Sequence, residues 1–223
     1  MSKQLFRGGA AALALCSAMA AAQAQQPGAA TLCGGLQNGF GPFDYRRDRD
    51  KLPIVESNHF TAQVEHLVKG ITGPLGADID YTLRAFPNHH RALLAATRLG
   101  KKLASNQPTG MNYSIDCYYD RAVRLTPDDT VVRGLYAIYL RENNRRPEAE
   151  AQLDVGVRAA GENAFAHFNL GVQYAEMQLW DKAARQARKA DELGMPRQEL
   201  IEMLRKAGKW TEAPAAAASP ASR

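Results

Sequence analysis

Cysteine is scarce in this chain, with three in 223 residues. That excludes a disulfide-dense secreted scaffold. The absence of a Cys-x-x-Cys pair excludes a thioredoxin-type redox centre and c-type haem attachment. Histidine is also sparse, at five residues, and tryptophan is limited to Trp180 and Trp210. His-Glu-x-x-His, Gly-x-Ser-x-Gly and the Gly-x4-Gly-Lys-Ser/Thr loop are all missing, so the short signatures of zinc peptidases, serine hydrolases and P-loop enzymes are absent. No segment after residue 24 approaches the roughly 20 uncharged apolar residues that a membrane-spanning helix needs. Alternation of apolar and polar residues at strand period is scarce too. What remains is 45% hydrophobic and 23% charged, the make-up of an ordinary folded domain.

The first 24 residues read as an address. Lys3 and Arg7 precede an uncharged stretch over 8–22 that ends in Ala22-Gln23-Ala24, the small-x-small pattern of signal-peptide cleavage. Cleavage there would leave Gln25 first. Leu13-Ala14-Leu15-Cys16 resembles a lipobox, but Leu15 stands where such boxes carry a small residue. A soluble, periplasmic product is therefore expected, and a lipoprotein is the lesser alternative. Losing Lys3 and Arg7 lowers the basic residues from 28 to 26 against 23 acids, a net charge of +3. That offers little electrostatic hold for nucleic acid, and no stable membrane insertion is expected after cleavage. Cys33 and Cys117 remain, and an oxidising compartment leaves them one intramolecular pairing. Closing so long a loop would stabilise the fold by about 4 kcal/mol. Two separate thiols are the alternative.

From about residue 57 the chain is helical in pattern, and a 34-residue step emerges. His167-x-x-Leu170-Gly171-x-x-Tyr174, followed by Ala183, Ala187 and Ala190, matches Arg133-x-x-Tyr136-Ala137-x-x-Leu140, followed by Ala149, Leu153 and Gly156. Pro147-Glu148-Ala149 and Asp181-Lys182-Ala183 open a second helix at the same phase. This pattern resembles the tetratricopeptide repeat family. His167 takes the tryptophan slot of the family motif, Ala187 the phenylalanine slot, and Pro196 falls one residue late. A further second helix is expected over 114–126, with its first helix displaced upstream to 90–100 by an insertion over 101–113. A degenerate unit ends at Tyr81–Pro87. The resemblance covers about residues 78–197 and resembles that of exported repeat proteins of Gram-negative bacteria.

The resemblance implies an all-α, tetratricopeptide-like helix-turn-helix solenoid, with an irregular N-terminal segment and a C-terminal capping helix. Paired helices of this kind cannot bury their apolar faces alone and must stack. The chain accordingly divides into a signal peptide (1–24), a leader and irregular Gly/aromatic segment (25–56), a helical domain with its cap (57–210) and a disordered tail (211–223). A first helix is expected over 58–69, and the spacing of Leu200, Ile201, Leu204 and Ala207 suits a terminal helix over 197–209.

Metal chemistry finds no support in the pattern. His89 and His90 are neighbours and would point about 100° apart in a helix, while His59 and His66 lie two turns apart. Asp44, Asp48 and Asp50 alternate with Arg46, Arg47, Arg49 and Lys51, which reads as a solvated, self-paired charge run rather than a calcium site. No catalytic residue and no cofactor is indicated. The resemblance implies instead a concave groove lined by the first helix of each pair, binding a protein segment. Aligned residue by residue, it would use Arg91, Leu94, Arg98 and Lys101, then Val131, Ile138 and Arg141, then Phe165, Phe168, Asn169 and Val172. Such a groove would be basic at one end and apolar at the other, suited to a partner with acidic and apolar anchors. The expected function is thus a non-catalytic envelope adaptor or scaffold. The alternatives are an envelope enzyme or transporter accessory using residues 33–56, with Asp44 and Tyr45 as candidates, or a structural subunit of a larger assembly.

Overall fold

The computed structural model describes residues 32–71, 73–195 and 198–211. The expected signal peptide, the leader before residue 32 and the tail after Thr211 lie outside the described residues. Within them are ten helices and no strand: α1 (Leu52–His59), α2 (Ala62–Glu65), α3 (Leu75–Ala85), α4 (His90–Leu103), α5 (Ile115–Leu125), α6 (Thr130–Glu142), α7 (Arg146–Ala160), α8 (Ala164–Glu176), α9 (Trp180–Glu192) and α10 (Gln198–Lys206).

Their boundaries follow from local chemistry. Proline disfavours helical backbone in the residue before it. Accordingly α3 and α5 both stop at a non-helical residue, Phe86 before Pro87 and Thr126 before Pro127. Two residues after each proline stands the capping residue of the next helix, which begins at the following position. His89 accepts from the amide of Ala92, Asp129 from those of Val131 and Val132, and Asn163 from that of Ala166. Each cap satisfies N–H groups that the helix itself cannot.

The first helix of each pair also ends alike. Ala104, Asn144 and Gln178 take the left-handed conformation. The following amide then bonds back five residues, Ser105 to Gly100, Arg145 to Leu140 and Leu179 to Tyr174. Asp129 and Asn163 are 34 residues apart, as are Asn144 and Gln178. The sequence period is therefore also a backbone period, and the earlier pair departs from it only by its inserted loop.

That loop is packed down. Asn112 donates through its backbone and side-chain nitrogens to Asp80, at 3.1 and 2.9 Å, and Tyr118 donates to the same carboxylate. Thr109 approaches α3 so closely that a Cβ at Gly76 would lie 2.3 Å from its carbonyl oxygen. The insertion thus occupies space between α3 and the next pair.

Packing is closest within the pairs α6/α7 and α8/α9, and α7 also meets α8. The first helices touch in series, α4 on α6 and α6 on α8, and α10 extends the row by packing on α8. One continuous core runs from Phe60 and Val64 through Leu93, Tyr119, Leu140, Leu153 and Tyr174 to Leu204. Tyr119 on α5 and Tyr136 on α6 stack across the first and second pairs with ring centroids 4.9 Å apart. Gly171 allows α10 to close on α8, since a Cβ there would sit 2.5 Å from Leu200. His167, in the slot where the repeat motif carries tryptophan, binds Gly161 and Gln186 instead of filling the space with an indole.

The N-terminal part departs from expectation in two respects. The helix expected over 58–69 is two shorter ones, and the first begins at Leu52, inside the segment expected to be irregular. Pro53 in the first turn of α1 presets its backbone. Phe60 breaks the helix and is itself buried in the core. The charge run is the second difference. It is partly self-paired, Asp44 with Arg46 and Asp50 with Lys51, but Arg46 also reaches Asp128 and Asp129 on the turn before α6.

Residues 33–51 therefore form a strap across the helices. Cys33 and Cys117 are joined by a disulfide that closes an 84-residue separation. Beside it the buried Arg121 donates to the carbonyl oxygens of Cys33 and Gly35, and Arg124 donates to that of Gly34. Further along, the Phe43 amide donates to the Ala85 carbonyl at 2.8 Å. Phe40, Phe43 and Tyr45 cover a small second core made of Leu52, Val55, Ala85 and Phe86. Gly41 has φ +102°, and a Cβ there would lie 2.5 Å from the Ala85 oxygen, so only glycine fits.

Candidate functional site

The first helices α6 and α8 and the terminal helix α10 leave an open groove of about 450 Å³ on the face they share. Its walls are Val131, Leu135 and Ile138 from α6, Phe165, Phe168 and Val172 from α8, and Met203 from α10. Phe165 is 50% and Val131 42% exposed, so two large apolar side chains stand open to solvent on this one face. Polar groups are few: Thr130, Asn163, Asn169 and Gln173, with Glu199 the one charged lining residue among the described residues. Helical periodicity explains the wall. Phe165, Phe168 and Val172 fall at three- and four-residue steps on one face of α8. The buried His167 and Tyr174 point to the other.

Five of the residues aligned from the sequence meet in this groove along with Asn169: Val131, Ile138, Phe165, Phe168 and Val172. The cations aligned with them do not line it. Arg91 binds Glu65 and lies 3.2 Å from Glu56. Arg141 pairs with Glu176, and Lys101 lies 3.5 Å from Glu142 at a separate polar pocket beside the inserted loop. Arg98 is exposed and makes no ion pair among the described residues. Leu94 is half-buried on α4. Sequence reasoning missed Met203 and Glu199, which complete the groove. Their signal was the terminal helix itself, read only as a cap.

A second cluster lies where the strap meets the caps. Asn88, fully buried, accepts from the Tyr45 amide at 2.8 Å and donates to Asp44 at 2.7 Å and to Asp129 at 3.1 Å. His90 lies 2.8 Å from the same Asp129 oxygen. Burial alone would raise the Asp44 carboxyl, but hydrogen bonds from Arg46 and Asn88 outweigh it and hold the group at about 2. Burial also opposes ionisation of Asp129, yet bonds from His90, the Val132 amide and Asn88 keep it below the ordinary carboxylate range. Burial lowers His89, offset in part by Glu56. Because Nδ1 of His89 accepts from Ala92, its proton sits on Nε2, 3.1 Å from Glu56.

This cluster is a fastening. Each of its polar groups is taken up by another part of the chain, and no group of three metal-ligating side chains is present among the described residues. Comparison with protein-family models, with curated proteins and with solved structures finds no match to this chain.

Proposed function

We propose that this chain is a non-catalytic interaction module of the tetratricopeptide type, which holds a segment of another protein in the groove across α6, α8 and α10. The observation that carries the reading is the half-exposed apolar wall of that groove, built at repeat-equivalent positions of successive first helices. The serial contact of those helices and the 34-residue recurrence of caps and turns support the repeat assignment. A wall already held by the stack lowers the ordering cost of binding. Placement in the periplasm, after removal of residues 1–24, completes the proposal. It rests on the signal-like N-terminus and draws support from a disulfide suited to an oxidising compartment.

The reading that places chemistry in residues 33–56 has less to stand on. Asp44 is bound by Arg46 and Asn88, and the Tyr45 ring packs on His89 with centroids 4.3 Å apart. The test is photocrosslinking in intact cells from position 131, in the groove, and separately from position 47, on the strap. A partner captured from 131, and lost with Phe165→Ala/Phe168→Ala while the helical spectrum is kept, is the expected result. Capture from 47 alone would overturn the groove reading.

A further inference from the structure

The sequence alignment suggested an acceptor for acidic segments, and the side chains point the other way. Of the four cations offered for that role, Arg91, Lys101 and Arg141 each have a carboxylate of this chain beside them, and Arg98, exposed on α4, is not part of the groove lining. Among the described residues no lysine or arginine lines the apolar groove. Its one charged lining residue is Glu199 on α10, exposed and without an ion pair among the described residues. Met203 lies four residues on and lines the same groove, so α10 presents a carboxylate and an apolar contact one helical turn apart. Asn169 and Gln173, also four residues apart, add amides that can both donate and accept.

We propose that the groove selects a protein segment of cationic amphipathic character, with bulky apolar side chains seated against Phe165, Phe168 and Val172 and a lysine or arginine reaching Glu199. The assignment rests on the groove reading above and sharpens it by fixing the sign of the partner's charge. An apolar groove binds any complementary hydrophobe of suitable shape, so discrimination has to come from its few polar groups. An acidic segment would place a carboxylate beside Glu199 with no cation among the described lining residues to receive it, while a basic one completes an ion pair. The caps Asp129 and Asn163 already take the amides of Val131, Val132 and Ala166 in the first turns of α6 and α8, which weakens those helix ends as anion sites.

The test uses the full exported protein and three fluorescein-labelled peptides of about a dozen residues. They share a phenylalanine and a leucine one helical turn apart and differ only in carrying Lys, Gln or Glu three residues beyond the leucine. Fluorescence polarisation at low salt should rank them Lys, then Gln, then Glu, with about threefold to tenfold between the extremes, as expected for a partly exposed ion pair. The spread should shrink in 1 M salt, where the screening length falls to about 3 Å. Glu199→Lys should reverse the order while lowering the thermal midpoint only slightly, because Glu199 makes no ion pair among the described residues and otherwise only favours the N-terminal turn of α10. Equal binding of all three would overturn the cationic assignment and leave the groove intact. Tightest binding of the Glu peptide would overturn it and restore an acidic partner. No binding by any of the three would overturn this proposal, while capture from position 131 would still judge the groove separately.

Discussion

The two ends of the helical array treat the same surface differently. Along α4 the face that a repeat would offer to a partner is occupied from within. Phe60 and Val64 are buried in the core beside it, and Glu56 and Glu65 hold Arg91. Along α6 and α8 the equivalent face is open and apolar. The ends are also held by different forces. The C-terminal pairs rely on alanine, leucine and tyrosine packing, whereas the strap and the first pair rely on a disulfide, a buried asparagine and arginines clasping carbonyl oxygens. Polar clasps supply geometry with modest net energy, so a strap fixed this way needs its covalent link more than the packed pairs do.

The contrast breaks most readily at the disulfide. Cys33→Ser/Cys117→Ser should cost about 2–4 kcal/mol in denaturant unfolding. Amide exchange should accelerate first in 33–47 and last in α8 and α9. Simultaneous loss of protection throughout would make the two regions one cooperative unit. Somewhat smaller is the expected effect of Asn88→Ala, which orphans the Tyr45 amide and removes donors to Asp44 and Asp129. About 2–3 kcal/mol is the scale for unsatisfied buried groups, and a thermal shift equivalent to much less would show that the strap hangs on other contacts.

Acidification probes the same junction without mutation. Folding favours neutral His89, so its contribution is complete above its ordinary value of 6.5 and declines as pH falls below that. Asp44 titrates at about 2 when folded against an ordinary 3.8, so its contribution is complete above 3.8 and fades towards 2. Stability should therefore be flat near neutrality and fall in two stages, and Asp44→Asn should flatten the lower one. A single loss confined to pH above 6.5 would contradict both assignments. The smallest stability change belongs to the open end. Phe165→Ala should shift unfolding by no more than about 0.5 kcal/mol while abolishing capture in the groove. A large loss of stability would mean that the ring is structural.

Much of this arrangement is legible in the residues. Helical period, proline stops and the caps at Asp129 and Asn163 are local, and local signals survive translation into structure. The apolar wall was readable for the same reason, since Phe165, Phe168 and Val172 follow the spacing of one helix face. The carboxylate partners of Arg91, Lys101 and Arg141 were not legible, because alignment assigns a residue to a face but says nothing of what stands opposite. Glu65 is 26 residues from Arg91, and Glu176 is 35 from Arg141. Neither pairing has a signal in the spacing. The break at Phe60 was hidden similarly: 58–69 has helical spacing, and the burial of one ring in a distant core outweighed it.

The sequence by itself determined that this protein is helical, where its repeating pairs start and stop, and which apolar residues share a face, because each depends on neighbours within a few turns. Only the tertiary structure decided that the strap crosses from Cys117 to the caps of α4 and α6. It alone decided that Arg91, Lys101 and Arg141 meet carboxylates of the same chain, and that a capping helix brings Glu199 to an apolar groove. Those outcomes depend on which surfaces meet when the pairs stack, and ion pairing and burial act through space without regard to distance along the chain.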